Sequence, residues 1–407
     1  MNQRNLLTWC LVLVALLPPT AHAQALAVPT QGKPVRVGLI APLTGGSADF
    51  GNSVRLGAEL AVKEINESGG LLGRPLELVV RDDKANPDEG RKVSEDLVLK
   101  EKVDFTVGFC NTGVAMKSLD VFQDNKHLLM VPCSQGTAVT AKYPPQDSFI
   151  FRVAPPDYIN ARFLINEIVV RRKIRKVAIF ADSTGYGEGG VKDLSAELAK
   201  NGLAPVTVTR FPLGVVSLAA EMRKARGEGA EALVVYAVGP EQAVAAKSRA
   251  EVRWKVPYFA PWPLSFRSVL EAAGPDVLEG TMMAQTVIQD AANERRSSFL
   301  LRYFRHSKET RIGSLMAAAQ TYDAMLLMLF AAFQTKGEIN GGTLKRALEN
   351  RERPYQGVVT TYTNPFSAKD HDAFTENMVW LGTWRSGRVE FFYAEDAQRS
   401  SILRRKD

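Results

Sequence analysis

Short apolar runs alternate with helical patterns along most of the chain. In VRVGLIAPL, Val35, Val37 and Leu39 fall at every second position, the period of a strand, and Thr44-Gly45-Gly46 ends the run. Val54, Ala58, Ala61 and Ile65 then recur at four, three and four residues, which predicts a helix with one buried face, closed by Gly69-Gly70. A second strand-helix unit follows: LELVV, then Asn86-Pro87-Asp88-Glu89 as a helix start. Asn86 is a capping residue, Pro87 needs no N–H in the first turn, and Glu89 stands where a capping-box acid reaches back. FTVGF, a helix around Ala115, Leu119 and Phe122, and HLLMVP continue the alternation. After Pro155-Pro156 it starts afresh with KVAIFA, a helix through Val191, Leu194 and Leu198, PVTVTRF, a helix near 216–227, ALVVYAV, another helix, and PYFAPW.

Repeated units of this kind build parallel sheets covered by helices on both faces. The expected fold is α/β, with two doubly wound parallel-sheet lobes, because some 380 residues exceed what one core usually serves. From 294 onward the chain becomes helical. The segment Leu315–Phe333 is apolar but carries Gln320, Tyr322 and Asp323, which marks a core helix rather than a membrane span. MVWLGTWRSGRVEFFY reads as two strands joined by a turn at Arg385-Ser386-Gly387.

The first residues change the picture of compartment. Arg4 precedes a 12-residue, mostly apolar run from Leu6 to Leu17, then Pro18-Pro19 and Ala21-His22-Ala23. The run is shorter than the roughly 20 residues of a spanning helix and fits a cleavable signal peptide over residues 1–23, hence export to the periplasm. Without it the balance is 50 basic minus 44 acidic residues, or +6, since only Arg4 is lost. The basic residues are interspersed with acids, so neither a nucleic-acid partner nor a polybasic membrane segment is indicated.

Catalytic motifs are missing. GxSxG, HExxH, CxxC and GxxxxGK[ST] do not occur, and the glycines of TGGSADFG and TGYGEGG, which follow strands, are only a weak sign of a dinucleotide site. His127, His306 and His371 have no metal-ligand spacing and read as surface or strand-end residues. The expectation is a protein without catalytic residues, metal or cofactor. Cys110 and Cys133, the two cysteines left after cleavage, end neighbouring strand patterns; a disulfide and two free buried thiols both stay open. Polar strand-end loops at Leu43 to Gly51, Cys110 to Gly113, Cys133 to Thr137 and Asp182 to Gly187 should face one cleft, because open α/β sheets bind ligands outside the carboxyl ends of their strands.

The opening from Val35 through VRDDKANPDEG, followed in order by VGFC, VPCSQGT, FRVAPPD, GYGEG and Thr321-Tyr322-Asp323-Ala324, resembles the leucine/isoleucine/valine-binding protein family over residues 33–395. These are type I periplasmic solute-binding proteins of ABC transporters. The resemblance implies two lobes joined by three crossovers, near 150–156, 281–288 and 354–360. One lobe would comprise 33–152 plus 286–355, the other 153–285 plus 356–397. It implies hinge closure on a small molecule, delivery to an ABC transporter permease, and action as a monomer without a membrane span in the mature chain. A ligand-sensing module presenting an aromatic or other organic acid to a membrane receptor is the alternative; a receptor would need a spanning helix after the fold, and none is read before Asp407.

The site carries over by resemblance. A ligand carboxylate would meet Asn111, Thr112 and Gly113 in one loop and Cys133, Ser134 and Gln135 in another, with hydroxyls from Thr112 and Ser134. Phe50 would cover the ligand, Tyr186 would close from the second lobe, and Tyr322 would be offered by the long helix. Two departures stand out. Where amino-acid binders carry an acid for the ligand ammonium, this chain reads Phe259-Ala260-Pro261-Trp262-Pro263, so Trp262 takes that place and Asp157 is the remaining candidate acid. An amino acid and an aromatic or other organic carboxylate therefore both stay open. Asn86 stands where some relatives have a cysteine that bridges to the one matching Cys110, which rules out that bridge.

Overall fold

The computed structural model describes residues 32–289, 293–401 and 406; the expected signal peptide lies outside these residues. The first lobe holds a parallel sheet of five strands: β1 (Val35–Ala41), β2 (Leu76–Asp82), β3 (Phe105–Gly108), β4 (Leu129–Val131) and β5 (Ile150–Arg152), in the order β2-β1-β3-β4-β5. Its helices are α1 (Ala48–Glu67), α2 (Pro87–Glu95), α3 (Thr112–Asp124) and the short α4 (Ala138–Ala141). Alternate β1 residues separate the two faces: Val35, Val37 and Leu39 join α1's buried stripe of Val54, Ala58 and Ala61, whereas Ile40 packs with Leu119 and Phe122 of α3.

The second lobe follows with β6 (Val177–Asp182), β7 (Thr207–Phe211), β8 (Ala232–Tyr236), β9 (Tyr258–Ala260) and β10 (Met282–Gln285). Helices α5 (Asp157–Ile165), α6 (Gly185–Lys200), α7 (Ala219–Gly227), α8 (Gly239–Glu251), α9 (Arg267–Ala273) and α10 (Pro275–Leu278) belong to this stretch. The chain then returns to the first lobe, where α11 (Glu294–Ser307) and α12 (Leu315–Gln334) pack on α1 and α13 (Gly341–Glu349) packs on α12. A small hairpin, β11 (Tyr355–Gln356) and β12 (Thr361–Tyr362), leads back across. There β13 (Trp380–Arg385) and β14 (Arg388–Phe391) add antiparallel strands to the second sheet, in the order β14-β13-β10-β9-β8-β6-β7, and α14 (Ala394–Ser401) ends the fold. Ser386 and Gly387 both have positive φ, the backbone of a tight hairpin turn, as the tail pattern indicates.

The long helix α12 is apolar enough to cross a membrane, but 83% of its most apolar stretch is buried, which is the environment of a core helix. Helix α2 starts as the sequence suggests: the Asn86 side chain accepts from the amides of Asp88 at 2.9 Å and Glu89 at 3.0 Å. The reciprocal half differs, because the Asn86 amide is already taken by the Asp83 carbonyl at 2.8 Å. His127 is half-buried just before β4, the strand-end place expected, and desolvation pushes it down to about 4; His371 differs from expectation, being buried and stacked on Phe151 at 3.7 Å, with its ring nitrogens against the Ile150 carbonyl and Glu349.

Both sheets are doubly wound, and in each the strand order reverses next to its first strand: between β1 and β3, and between β6 and β8. Loops leave such a switch point in opposite directions and open a crevice at the strands' carboxyl ends. The two crevices face each other.

Candidate functional site

A cavity of about 260 Å³ lies between the lobes, at the meeting of these crevices. Its size is at the low end for small-molecule sites, which run from about 300 Å³ upward for drug-sized ligands. One wall belongs to the first lobe: Ser47 and Phe50 after β1, Cys110 to Val114 after β3, and Cys133 and Gln135 after β4. The other consists of Thr184 to Tyr186 after β6, Leu213 after β7, Val238 after β8 and Trp262 after β9.

The first wall is polar and built on the start of α3. Asn111 precedes the helix but does not cap it; its Nδ2 donates instead to Ser47 Oγ at 3.2 Å. The first amide N–H groups of α3 thus lack both an intrahelical acceptor and a side-chain cap, and they carry the positive end of the helix dipole. Thr112 is fixed from behind. Ser134 Oγ donates to Thr112 Oγ1 at 3.3 Å, and a Cβ on Gly136 would stand 2.2 Å from Thr112 Cγ2, so only glycine lets that loop close on the threonine. Asn111 Oδ1 and both polar atoms of Gln135 are buried without a hydrogen-bond partner. Buried polar groups are normally paired, so these atoms mark where a ligand's polar groups would fit.

The second wall is mainly aromatic and apolar. Trp262 sits on the 3-10 turn after β9, and its ring meets Phe50 of the first lobe at 5.0 Å, edge to face; Phe266 meets Phe50 at 4.2 Å. Tyr186, in the first turn of α6, lies against Tyr236 with centroids 4.9 Å apart, and burial pushes its phenol up. Asp182 Oδ2 accepts the Val238 amide at 2.8 Å and Oδ1 the Thr184 amide at 3.0 Å, so one strand-end carboxylate holds both loops.

The walls touch. A Cβ on Gly185, at the start of α6, would lie 3.4 Å from Gly113 Cα, at the start of α3. The positive ends of two helices therefore converge on one cavity, and among the described residues no Asp, Glu, Lys, Arg or His side chain lines it. Further bonds join the lobes: Thr137 Oγ1 donates to Asp193 Oδ2 at 2.6 Å, and the Ser268 amide donates to Asp49 Oδ2 at 2.9 Å. The cleft is closed.

Of the residues expected at the site, Phe50, Asn111, Thr112, Gly113, Cys133, Gln135, Tyr186 and Trp262 line the cavity. Three do not. Ser134 lies behind Thr112, and its amide is engaged by the Phe109 carbonyl at 2.9 Å. Tyr322 points toward α1 and α11, where its hydroxyl donates to Glu64 Oε2 at 2.6 Å and receives Arg302 Nη1 at 3.0 Å; the face of α12 that carries it packs on helices and not on the strand-end loops. Asp157 is buried at the seam. Its amide donates to the Gln135 carbonyl at 2.7 Å, its Oδ1 accepts from Tyr236 Oη at 2.5 Å, and Oδ2 has no partner. Burial raises this carboxyl to about 7, against the lowering by Tyr236. Leu213 and Val238 line the cavity although no polar signal marked them; their place just after strand ends is the signal that could have found them.

Comparison with known proteins gives the family and the fold. Residues 34–388 match the family model described as periplasmic binding protein. A Leu/Ile/Val-binding protein homolog from Brucella melitensis is 33% identical over 202 residues, a stretch covering 50% of this chain and 53% of that protein. The chain thus aligns with about half the length of that relative. The fold is that of a type 1 periplasmic binding protein from Bordetella pertussis, with a TM-score of 0.80 at 23% identity over 88% of this chain and 100% of that one. A solute-binding protein of an ABC transporter from R. palustris, solved with benzoate, gives a TM-score of 0.77 at 19% identity over 88% and 95%. These are binding proteins and not enzymes. The chain belongs to the periplasmic binding protein family and is similar in sequence to its leucine/isoleucine/valine-binding members.

Proposed function

We propose that this protein is the periplasmic substrate-binding component of an ABC importer, exported through a cleavable signal peptide, and that it captures a small carboxylate between its lobes. The observation that carries the carboxylate is the convergence of the α3 and α6 N-termini on a cavity lined by no charged side chain. The uncapped amides of α3 and the dipoles of both helices favour an anion, although Thr184 caps α6 at the Tyr186 amide, and no fixed cation is required. Trp262 and Tyr186 of the second wall, with Phe50 of the first, then enclose an apolar part, which suits an aromatic or branched organic acid. Closure follows because a ligand touching both walls favours the state in which both are within reach. The permease partner comes from the family and from the R. palustris neighbour, which is a transporter component.

A second reading, a branched-chain amino acid, is favoured by the unpartnered Oδ2 of Asp157 and by the name of the Brucella relative. It requires the ammonium to reach past the Tyr186 and Tyr236 rings. Calorimetry with aromatic acids, branched-chain amino acids, their deaminated analogues and the methyl esters of each separates the two. Free acids should bind, and esters should lose about 10- to 150-fold, as expected for a charged hydrogen bond of about 1.5–3 kcal/mol. Esters binding as well as acids would remove the carboxylate anchor; binding of amino acids alone would make Asp157 the ammonium partner.

A further inference from the structure

The floor of the cavity holds two cysteines. Cys110 and Cys133 each lie two residues past the end of β3 and β4, neighbours in the first sheet, and both line the cavity. The strands stay together past their ladder, because the Ser134 amide donates to the Phe109 carbonyl at 2.9 Å, which holds Cys133 beside Cys110. Both thiols are free and buried, and they lie within hydrogen-bonding reach of each other. Adjacent strands run about 4.8 Å apart, inside the roughly 4.4–6.8 Å between Cα atoms that a disulfide spans.

We propose that Cys110 and Cys133 are a redox-modifiable site, a dithiol that forms a reversible disulfide in the first-lobe wall of the cleft. This rests on the reading of the cleft as the solute site only for its consequence; the bond itself does not depend on it. The oxidant is a protein or small-molecule disulfide of the exported compartment. One cysteine thiolate attacks it, forming a mixed disulfide and releasing one oxidant thiol. The second cysteine sulfur then attacks the first, forming the Cys110–Cys133 bond and releasing the other oxidant thiol. Two electrons pass to the oxidant, and the protons of the two cysteines end on its two thiols. Burial, with smaller contributions from Cys133 and Asp83, pushes the Cys110 thiol up, so the thiolate is scarce in the closed cleft and exchange should proceed from the open state.

The position gives the bond an effect. Cys110 directly precedes Asn111 to Gly113 at the start of α3, and Cys133 directly precedes Ser134 and Gln135. A disulfide would tie the two loops of the polar wall together at their base, so oxidation would adjust the half of the site that faces the carboxylate.

The test equilibrates the full mature protein, folded, in glutathione buffers from fully reduced to fully oxidised. Acid quenching, alkylation of remaining thiols under denaturing conditions and peptide mass mapping follow. The expected result is a graded loss of both alkylation sites together, with the Cys110 and Cys133 peptides linked and two hydrogens lost, reversed by reduced glutathione. Cys110→Ser and Cys133→Ser should each abolish the linked species. Full alkylation of both cysteines in oxidised glutathione, while the same protein oxidises when unfolded, would overturn the proposal, as would mixed glutathione disulfides without the internal link. Thermal-shift titrations with sodium benzoate and L-leucine on both redox forms give a separate readout. Failure of both probes on both forms counts against the small-carboxylate reading and leaves the mapping result to decide the disulfide.

Discussion

The two walls of the cleft solve different problems with the same topology. Each is made of loops leaving the carboxyl ends of a doubly wound sheet, yet the first presents uncapped amides, hydroxyls and amide side chains, and the second presents mostly rings and aliphatic groups. The polar wall is braced from behind. Arg152, fully buried, donates from Nη1 to the carbonyls of Gln135 and Gly136 at 3.0 and 2.7 Å, from Nη2 to Thr140 Oγ1 at 2.8 Å, and from Nε to Asp372 Oδ1 at 2.6 Å. The aromatic wall has its cross-lobe contacts in edge-to-face rings, which are non-directional enough to slide and re-form. A hinge protein benefits from this division: direction-dependent recognition sits on a rigid frame, and area-dependent burial sits on the lobe that closes over it.

The largest break in the comparison should come from the brace. Arg152→Met leaves Asp372 buried without its cation and takes one of two donors from each of the Gln135 and Gly136 carbonyls, so unfolding by urea should be easier by about 3–5 kcal/mol. The loss should fall on the first wall, with amide hydrogen exchange rising at 133–137 before it rises at 184–187. Equal loosening of both walls would mean that the frame is shared by the lobes and does not belong to one.

A sharper and somewhat smaller contrast comes from one substitution on each wall. Thr112→Val removes one of the first wall's two hydroxyls, the other being that of Ser47, while keeping the side chain's shape, and should weaken every carboxylate that binds by a similar factor, about 10- to 150-fold if the hydroxyl bonds the charged group. Trp262→Ala removes a ring that is 2% exposed, and should weaken aromatic acids by about 2 kcal/mol or more while costing small aliphatic acids less. Calorimetry on the same panel checks both. If Thr112→Val discriminates between ligands and Trp262→Ala does not, the assignment of anchoring and enclosure to the two walls is reversed.

The fold was legible in the chain because strand and helix periods, caps and glycines act locally, and the rule that places ligands at strand ends marked the loops that hold seven of the eight cavity residues expected, Trp262 coming from the family resemblance alone. What stayed hidden depends on contacts far apart in sequence. Nothing near Ser134 reveals that Gly136 and Thr112 close over its hydroxyl, and nothing near Tyr322 reveals that Glu64 and Arg302 claim its phenol from two other helices. Asp157 meets Tyr236 across 79 residues, a partnership no spacing rule contains. Leu213 and Val238 were passed over because an apolar residue after an apolar strand gives no contrast. Polar character marked the first wall well and the second poorly, which is itself a result of their different chemistry.

The smallest expected effect tests whether closure is held by the walls alone. Thr137, on the loop before α4, donates to Asp193 on α6 and accepts the Tyr158 amide at 2.9 Å, so its hydroxyl links the first lobe to the second outside the cavity. A hydrogen bond of this kind contributes about 0.5–1.5 kcal/mol, hence roughly 2- to 12-fold in affinity if it forms only on closure. Thr137→Val should raise the dissociation rate by that factor and leave association nearly unchanged, because encounter takes place with the lobes apart. It should also let Asp193, already raised by burial and held back by this bond, titrate higher still. Thr137→Ser keeps the hydroxyl and should restore both. A Thr137→Val protein that releases ligand at the original rate, with Asp193 shifted, would show the bond to be intact in the open state as well; the wall contacts of Phe50, Trp262, Gly113 and Gly185 would then carry closure by themselves.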